Sequence, residues 1–252
     1  MSSPSPTFSL PPQKVAFSGL LFDMDGTIID STAAIEKHWE AQVLLIGGEL
    51  GVDPKVILET SHGKRSIDTL KLITGPEKAN WECTLPRHKS HVKHMEGLLP
   101  KLYGNDATEI PGARALLDSI TSAKAPWAIV TSGTTPLVTG WLSVLKLPRP
   151  EHLVVAEDVE NGKPDPTCYE MGRDKLGLKR GDEILVLEDS PAGIQAGKAA
   201  GCKVLGVVTS HTVEQIIAAK PDFIVQDLSS VKMAGFEDGK VTLEISNALD
   251  LQ

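Results

Sequence analysis

Short apolar runs alternate with helical patterns along most of this chain, and this alternation restricts the folds that the chain can adopt. Each run is rich in Val, Ile, Leu or aromatic residues and ends at polar or turn-forming residues, which is typical of a buried strand. Strands that alternate with helices assemble through right-handed crossovers into a parallel sheet. We therefore predict an α/β fold with a doubly wound, Rossmann-like parallel sheet, whose strands are Phe17–Phe22, Trp127–Val130, Leu153–Ala156, Ile184–Leu187, Val204–Val208 and Phe223–Val225.

One long helical stretch interrupts this alternation after the first strand. Residues 33–106 show helical patterns without strand alternation, so we predict a small helical cap domain, inserted above the carboxyl edge of the sheet. The α/β core domain then comprises residues 14–32 and 107–252. The Ser- and Pro-rich residues 1–13 predict a disordered tail, and Val241–Ile245 predicts an added edge strand.

The composition favours a globular protein and argues against several classes of partner. The 252 residues are 41% hydrophobic and carry a formal net charge of −8, so neither a nucleic-acid nor a membrane partner is expected. Residues 1–13 lack the apolar segment of a signal peptide and the arginines of a transit peptide. The cysteines lack metal-ligand or redox spacing, which favours reduced thiols. We therefore expect a cytoplasmic protein, and we also expect a monomer.

Two aspartates, Asp23 and Asp25, follow the first predicted strand, and Gly26 beside them allows a sharp turn. In an open parallel sheet, ligands bind beyond the carboxyl ends of the strands. Two carboxylates at that position provide the hard oxygen ligands that suit Mg²⁺, and their repulsion separates their pKa values unless a cation lies between them. One can then act as a nucleophile and the other as an acid or base. The alternative is a capped loop with two solvated aspartates.

Three further strand ends carry polar residues, which should converge on the same crevice. A loop of Ser, Gly and Thr backbone amides at a helix start suits a phosphate group. A lysine can bridge that phosphate and a nucleophilic carboxylate as a point charge. Further carboxylates complete an acidic metal site with Asp23. The residues concerned are Thr131, Ser132, Gly133, Lys163, Glu188 and Asp189.

Four motifs occur in the order DMDGT, IVTSG, GKPDP and LEDSPAG, and together they resemble the haloacid dehalogenase superfamily of phosphohydrolases. The resemblance covers nearly the whole chain beyond residue 15 and includes that family's small helical cap. It implies that Asp23 is a nucleophile that forms an aspartyl phosphate. It also implies that Asp25 protonates the leaving alkoxide and then activates water.

The same resemblance implies the roles of the remaining motif residues. Thr131 and Lys163 are the implied phosphate ligands, beside the loop amides of Ser132 and Gly133. The implied ligands of Mg²⁺ are Asp23, Asp189, the backbone carbonyl of Asp25 and, directly or through water, Glu188.

Three stretches, His62–Arg65 with Asp68, Trp127–Thr134 and Pro191–Cys202, together resemble a narrower group, the fungal glycerol-1-phosphatases and 2-deoxyglucose-6-phosphate phosphatases. The turn His62-Gly63-Lys64-Arg65, with Asp68 after it, lies in the predicted cap and would face the crevice. The resemblance implies that His62, Lys64 and Arg65 contact the substrate. The alternative is a junction between two surface helices.

Together with these residues, the two resemblances imply a Mg²⁺-dependent phosphomonoesterase that acts on a small phosphorylated polyol or sugar. Glycerol phosphate is the first candidate, and 2-deoxyglucose-6-phosphate or another sugar phosphate is the second. A dehalogenase is disfavoured because its pattern lacks the second aspartate, which is present here as Asp25. A sugar phosphomutase, which also uses both aspartates, and a catalytically inactive binding module are the alternatives.

Overall fold

The computed structural model describes residues 7–38, 63–68 and 85–250. The described strands are β1 (Thr7–Leu10), β2 (Gln13–Phe17), β3 (Gly19–Phe22), β4 (Ile29–Asp30), β5 (Thr108–Glu109), β6 (Trp127–Val130), β7 (His152–Val154), β8 (Ile184–Glu188), β9 (Lys203–Val207), β10 (Phe223–Val225), β11 (Val231–Glu237), β12 (Lys240–Ile245) and β13 (Ala248–Asp250). The longer helices are α1 (Leu85–Leu102), α2 (Ala113–Ser122), α3 (Thr135–Val144), α4 (Thr167–Lys175), α5 (Pro191–Ala199) and α6 (Val213–Ala219). Residues 32–38 and 66–68 are also helical.

A six-stranded parallel sheet forms the centre of the fold. Its strand order is β10-β9-β8-β3-β6-β7, and every neighbouring pair is parallel. The chain adds β6 and β7 on one side of β3, then returns and adds β8, β9 and β10 on the other side, with a helix in each connection. The predicted doubly wound α/β fold is therefore confirmed.

The sheet separates two apolar cores, and successive residues of a strand enter opposite ones. On β3, Leu20 and Phe22 belong to the first core, and Leu21 belongs to the second. The first core includes Trp141 of α3, and the second includes Ile194 of α5. Because helices cover both faces of the sheet, its strands are continuous apolar runs rather than alternating ones.

The expected disordered tail over residues 1–13 is wrong where the structure describes it. β1 pairs antiparallel with the C-terminal β13, and Phe8 lies opposite Leu249 in that pairing. Phe8 also packs on the second core. Backbone pairing and the burial of an aromatic ring offset the entropy lost on ordering this segment, despite its Ser- and Pro-rich composition. Residues 1–6 lie outside the described part of the chain.

Two other strand predictions also change. The strand predicted over Phe17–Phe22 is divided between two strands. Phe17 is the last residue of β2, and the central sheet begins at Gly19 with β3. The predicted edge strand Val241–Ile245 instead lies in the middle strand of a separate sheet, ordered β11-β12-β2. Both outcomes depend on pairing between the two ends of the chain, which a local pattern does not specify.

Helix α1, from the predicted cap, packs along α3 of the predicted core domain. Gly97 of α1 lies against Pro136, and Pro100 of α1 lies against Gly140. A side chain added at either glycine would come within 3 Å of the facing proline ring. The two helices therefore approach closely at these points, which keeps α1 next to the start of α3.

Much of the predicted cap lies outside the described residues. This applies to the helices predicted within 39–62 and 69–84, so the division of the chain into two domains stays a prediction. Within the ranges that are described, no helix combines the length and the apolar character needed to cross a membrane.

Deleting residues 1–10 should lower the free energy of unfolding by about 1–3 kcal/mol, because β13 loses its partner strand and the buried Leu249 loses its neighbour Phe8. The measurement is a urea denaturation curve. Deleting only residues 1–6 is the matched control and should leave the midpoint unchanged. Equal midpoints for both deletions would contradict the pairing of β1 with β13.

Candidate active site

Lys163 lies at the centre of a buried group of charged side chains beyond the carboxyl edge of the sheet. Its Nζ is 2.5 Å from Asp23 Oδ1 and 2.6 Å from Glu188 Oε1, and it donates to the Val130 carbonyl at 3.2 Å. Asp23 follows β3, Glu188 ends β8, and Lys163 comes from the segment between β7 and α4. The structure thus brings the side chains from these strand ends together.

Burial and mutual attraction determine the charge of this group. Burial alone would lower the pKa of the Lys163 ammonium, but the negative charges of Asp23 and Glu188 outweigh it and hold that pKa above its ordinary value. Burial acts in the opposite direction on a carboxyl group. It raises the pKa of Asp23, and the positive charge of Lys163 opposes that rise. A buried ammonium without partners would be costly. Lys163 therefore stays protonated between its two carboxylates and orients Asp23.

Glu188 is fully buried, and hydrogen-bond donors surround both of its carboxylate oxygens. Oε1 accepts from Lys163 and, at 2.8 Å, from the Tyr169 hydroxyl. Oε2 accepts from the backbone N–H groups of Asp189 and Ser190 and from Ser190 Oγ, at 3.0–3.1 Å. Burial would raise the pKa of Glu188, but the charge of Lys163 holds it below its ordinary value. Glu188 is therefore a fixed anion that positions Lys163.

Asp23, Glu188 and Asp189 form a buried acidic cluster with the composition of a metal site. One oxygen from each lies within 4.8 Å of the others. Burial, together with the charge of Glu188, raises the pKa of Asp189 to about 7, so Lys163 alone leaves the cluster short of positive charge. Hard carboxylate oxygens suit Mg²⁺, and the residues fit such an ion. Donors already engage both oxygens of Glu188, which favours Asp23 and Asp189 as direct ligands.

Asp25 lies two residues beyond Asp23 on a tight turn. Gly26 allows that turn, because its φ of 87° is a conformation that other residues rarely adopt. Glycine is also required for space, since a side chain at this position would collide with the Asp189 carboxylate. Ser31 Oγ donates to Asp25 Oδ1 at 2.6 Å. Asp23 and Asp25 both line one cavity. The turn therefore presents two carboxylates to the same space.

The loop formed by Thr131, Ser132 and Gly133 lines another side of this cavity, at the start of α3. Thr131 Oγ1 accepts a hydrogen bond from the Gly133 N–H at 3.0 Å, which folds the loop toward the helix. Ser132 Oγ donates to the Gly63 carbonyl at 3.0 Å. A helix N-terminus with backbone N–H groups and a hydroxyl beside it is suited to an anion. The cavity thus combines carboxylates with an anion-binding loop.

Residues 63–68 of the predicted cap lie directly against these loops. Gly63 has a φ of 75°, and a side chain there would collide with the Ser190 hydroxyl. Lys64 is exposed and lines the cavity, whereas His62 lies outside the described residues. Of the cap residues predicted to contact the substrate, Lys64 is therefore the one that the structure brings to the cavity.

Arg65 is buried, and it is not among the residues that line the cavity. Its guanidinium donates to both carboxylate oxygens of Asp68, at 2.6 and 2.9 Å. It also donates to the backbone carbonyls of Val159 and Glu160, each at 2.9 Å. In the structure Arg65 therefore makes its contacts within the protein, to Asp68 and to the segment that leads to Lys163, and its contact with the substrate stays a prediction.

Several polar residues at the cavity were not singled out in the sequence. His38 and Ser66 line it, Glu96 reaches it from α1, and Ser210 lines it while donating to the Asp189 carboxylate. Ser210 has a local signal, because it follows β9 as the motif residues follow their strands. The other residues have no such signal, since only the packing of helices brings them to the cavity.

Comparisons with known proteins agree with this geometry. Residues 20–207 match the family described as haloacid dehalogenase-like hydrolase. Glycerol-1-phosphate phosphohydrolase 1 of Saccharomyces cerevisiae is 34% identical over 233 residues, which cover 89% of this chain and 88% of that protein. 2-Deoxyglucose-6-phosphate phosphatase 1 of the same species is 34% identical over 245 residues, which cover 91% and 95%.

A solved structure supports the fold assignment. The crystal structure of β-phosphoglucomutase from Clostridium difficile matches with a TM-score of 0.67 at 20% identity, covering 84% of this chain and 92% of that one. At this level of identity the likeness concerns the fold alone. The family match covers well over half of the chain and contains each of the four motifs, so this chain belongs to the haloacid dehalogenase-like hydrolase family.

Proposed function

We propose that this protein is a Mg²⁺-dependent phosphatase that hydrolyses a small polyol or sugar phosphate. Glycerol phosphate is the first candidate substrate and 2-deoxyglucose-6-phosphate the second, in line with the names of the two yeast relatives. The observation that carries the proposal is the buried Asp23 carboxylate, held 2.5 Å from Lys163 Nζ in a cavity that also contains Asp25. A cytoplasmic location and a monomeric state remain predictions from the sequence.

In the first step, a carboxylate oxygen of Asp23 attacks the phosphorus atom, and the bond from phosphorus to the ester oxygen breaks. The ion pair with Lys163 favours the ionised form of Asp23 and orients it. Asp25 donates its proton to the departing alkoxide, which leaves as an alcohol. The protein then carries an aspartyl phosphate.

In the second step, a water molecule attacks the phosphorus atom of the aspartyl phosphate. Asp25, now a carboxylate, takes a proton from this water, and the bond between phosphorus and the Asp23 oxygen breaks. Inorganic phosphate leaves, Asp23 is a carboxylate again, and Asp25 again holds the proton for the next leaving group. The hydrogen bond from Ser31 Oγ, 2.6 Å long, keeps Asp25 in position for both transfers.

The remaining site residues act on the negative charge of the phosphoryl group. At the start of α3, Thr131 offers a hydroxyl and Ser132 a backbone N–H, and the Gly133 N–H can join them by exchanging its bond to Thr131 Oγ1 for one to the phosphoryl group. Lys163 adds a fixed positive charge. When bound, Mg²⁺ would neutralise further charge on the phosphoryl oxygens. Its proposed ligands are Asp23, Asp189, the backbone carbonyl of Asp25 and, directly or through water, Glu188.

A sugar phosphomutase and an inactive binding module are the competing functions. The likeness to a β-phosphoglucomutase concerns the fold alone. An inactive module would have no need for the full set of Asp23, Asp25, Lys163 and Asp189. A mutase would convert a sugar phosphate into its isomer when a sugar bisphosphate is added, whereas a phosphatase releases inorganic phosphate.

The direct test is the release of inorganic phosphate from a panel of glycerol, hexitol, 2-deoxyglucose and chromogenic phosphates. We expect the highest kcat/KM with a small polyol or sugar phosphate.

Asp23→Asn should lower the rate by at least about a thousandfold, because an amide cannot form the aspartyl phosphate. The control is Asp30→Asn, since Asp30 is exposed and asparagine can still accept from the Thr32 N–H. Similar rates for Asp23→Asn and wild type would contradict the mechanism.

Removing divalent cations should abolish turnover, and Mg²⁺ should restore it far better than Ca²⁺. Mg²⁺ needs compact octahedral coordination, whereas Ca²⁺ takes more ligands at longer distances and would displace Asp23 from its line of attack. The measurement is phosphate release after chelation and dialysis, followed by titration with each ion. Asp189→Asn should raise the Mg²⁺ concentration at half-maximal rate by about tenfold or more. Full activity after exhaustive chelation would remove the metal from the proposal.

The contacts of Arg65 lead us to revise the role predicted for it. Four hydrogen bonds engage its guanidinium with Asp68 and with the backbone of residues 159–160. We infer that Arg65 is a positioning residue, which fastens residues 63–68 to the segment that leads to Lys163. It therefore acts on catalysis through the placement of Lys163 and without touching the alcohol.

Arg65→Ala should lower kcat/KM by a similar factor, about 10- to 100-fold, for glycerol phosphate and for a bulky chromogenic ester. Arg65→Lys should recover only part of this loss, because an ammonium cannot reproduce the planar, bidentate contacts of a guanidinium. Arg114 is the matched control, since it bonds Glu109 and two backbone carbonyls away from the cavity. Arg114→Ala should leave kcat/KM unchanged. A loss confined to glycerol phosphate would return Arg65 to the substrate contact predicted from the sequence.

A further inference from the structure

Glu96 is a buried carboxylate that the proposed mechanism does not use. It lies on α1, is 5% exposed, and lines the cavity that contains Asp23 and Asp25. Among the described residues that line this cavity, it is the one carboxylate outside the strand-end motifs. Carboxylates are seldom buried without a partner or a function, and Glu96 therefore calls for a chemical explanation.

Two donors hold the Glu96 carboxylate in place. Ser66 Oγ donates to its Oε1 at 2.5 Å, and the Thr134 backbone N–H donates to its Oε2 at 2.8 Å. Thr134 immediately precedes α3, so the carboxylate lies at the positive end of that helix. An ionised carboxylate has about four acceptor positions. After these two bonds, Glu96 can still accept hydrogen bonds from a molecule in the cavity.

The same two donors, at the positive end of α3, favour a negative charge on Glu96. Burial raises the pKa of Glu96 above its ordinary value, and the hydrogen bonds from Ser66 and Thr134 oppose part of that rise. Lys64 also lines the cavity, but it is exposed, and solvent screens its charge more strongly than that of a buried group. The carboxylate form of Glu96 would repel a negatively charged leaving group, whereas a hydroxyl group would find an acceptor on it.

We propose that Glu96 determines specificity, by selecting leaving alcohols with neutral hydroxyl groups and disfavouring those with a carboxylate or a second phosphate. This inference rests on the proposed phosphatase function and extends it from the phosphate to the alcohol. The motif loops contact the phosphoryl group that all monoesters share. Glu96 comes from α1 of the predicted cap and can act on the part in which the esters differ.

Glycerol 3-phosphate and 3-phosphoglycerate are a matched pair of substrates, because they differ in a hydroxymethyl group against a carboxylate. Wild type should have the larger kcat/KM with glycerol phosphate, by at least about tenfold. Glu96→Gln should reduce this preference by about tenfold or more, because it removes the charge and one acceptor. Glutamine fits the site, since its Oε1 can accept from the Thr134 N–H while its Nε2 donates to Ser66 Oγ.

Glu157 provides the control for charge at this end of α3. Its carboxylate accepts from the Thr135 N–H at 3.2 Å, and it is not among the residues that line the cavity. Glu157→Gln removes the same charge near the same helix end and should leave the substrate preference at the wild-type value. Thermal unfolding of both variants checks that each is folded.

The outcomes separate this inference from the proposed function. A wild-type preference for 3-phosphoglycerate would overturn the inference without any variant, and so would an unchanged preference in Glu96→Gln. Equal losses with both esters would also overturn it, because Glu96 would then only position Thr134. Phosphate release from none of the esters by wild type would mean that the proposed function itself has failed, and this inference with it.

Discussion

The buried ammonium of Lys163 is the interaction on which the rest of the site depends. A charge removed from water needs close partners, and Lys163 has Asp23 at 2.5 Å and Glu188 at 2.6 Å. These partners follow or end the adjacent strands β3 and β8, so the register of the parallel sheet sets the distance between the carboxylates. Two anions held that close need a cation, and the segment after β7 supplies it. The cost of burying these charges therefore links the sheet, the loop and the chemistry.

The motif residues could be predicted from the sequence because their positions follow from the topology. Parallel strands bring their carboxyl ends to one edge, so Asp23 and Lys163 could be placed together without any side-chain contact being known. Tyr169 could not be predicted in this way, because its hydroxyl reaches Glu188 only after α4 has packed on the sheet. Glu96 reaches the cavity by the packing of α1 on α3, which no local pattern specifies.

The contacts that the sequence did not predict have the same physical origin. Residues 7–10 lie within a Ser- and Pro-rich segment, but they pair with β13 at the other end of the chain, and a local reading cannot contain that partner. Arg65 belongs to a motif that resembles substrate-binding residues, yet two of its acceptors are backbone carbonyls at Val159 and Glu160. Backbone carbonyls are present at every residue, so a sequence cannot indicate which of them a buried guanidinium will choose.

Residues 63–68 lie between the loop of residues 131–133 and the groups that hold Lys163. The Gly63 carbonyl accepts a hydrogen bond from Ser132 Oγ of the 131–133 loop. Gly63 also packs against Ser190, whose hydroxyl and backbone N–H both donate to the Glu188 carboxylate. Arg65 bonds the segment that leads to Lys163. Residues 63–68 therefore join the 131–133 loop to the groups that hold Lys163, so a change in these residues would disturb the loop and the placement of Lys163 together.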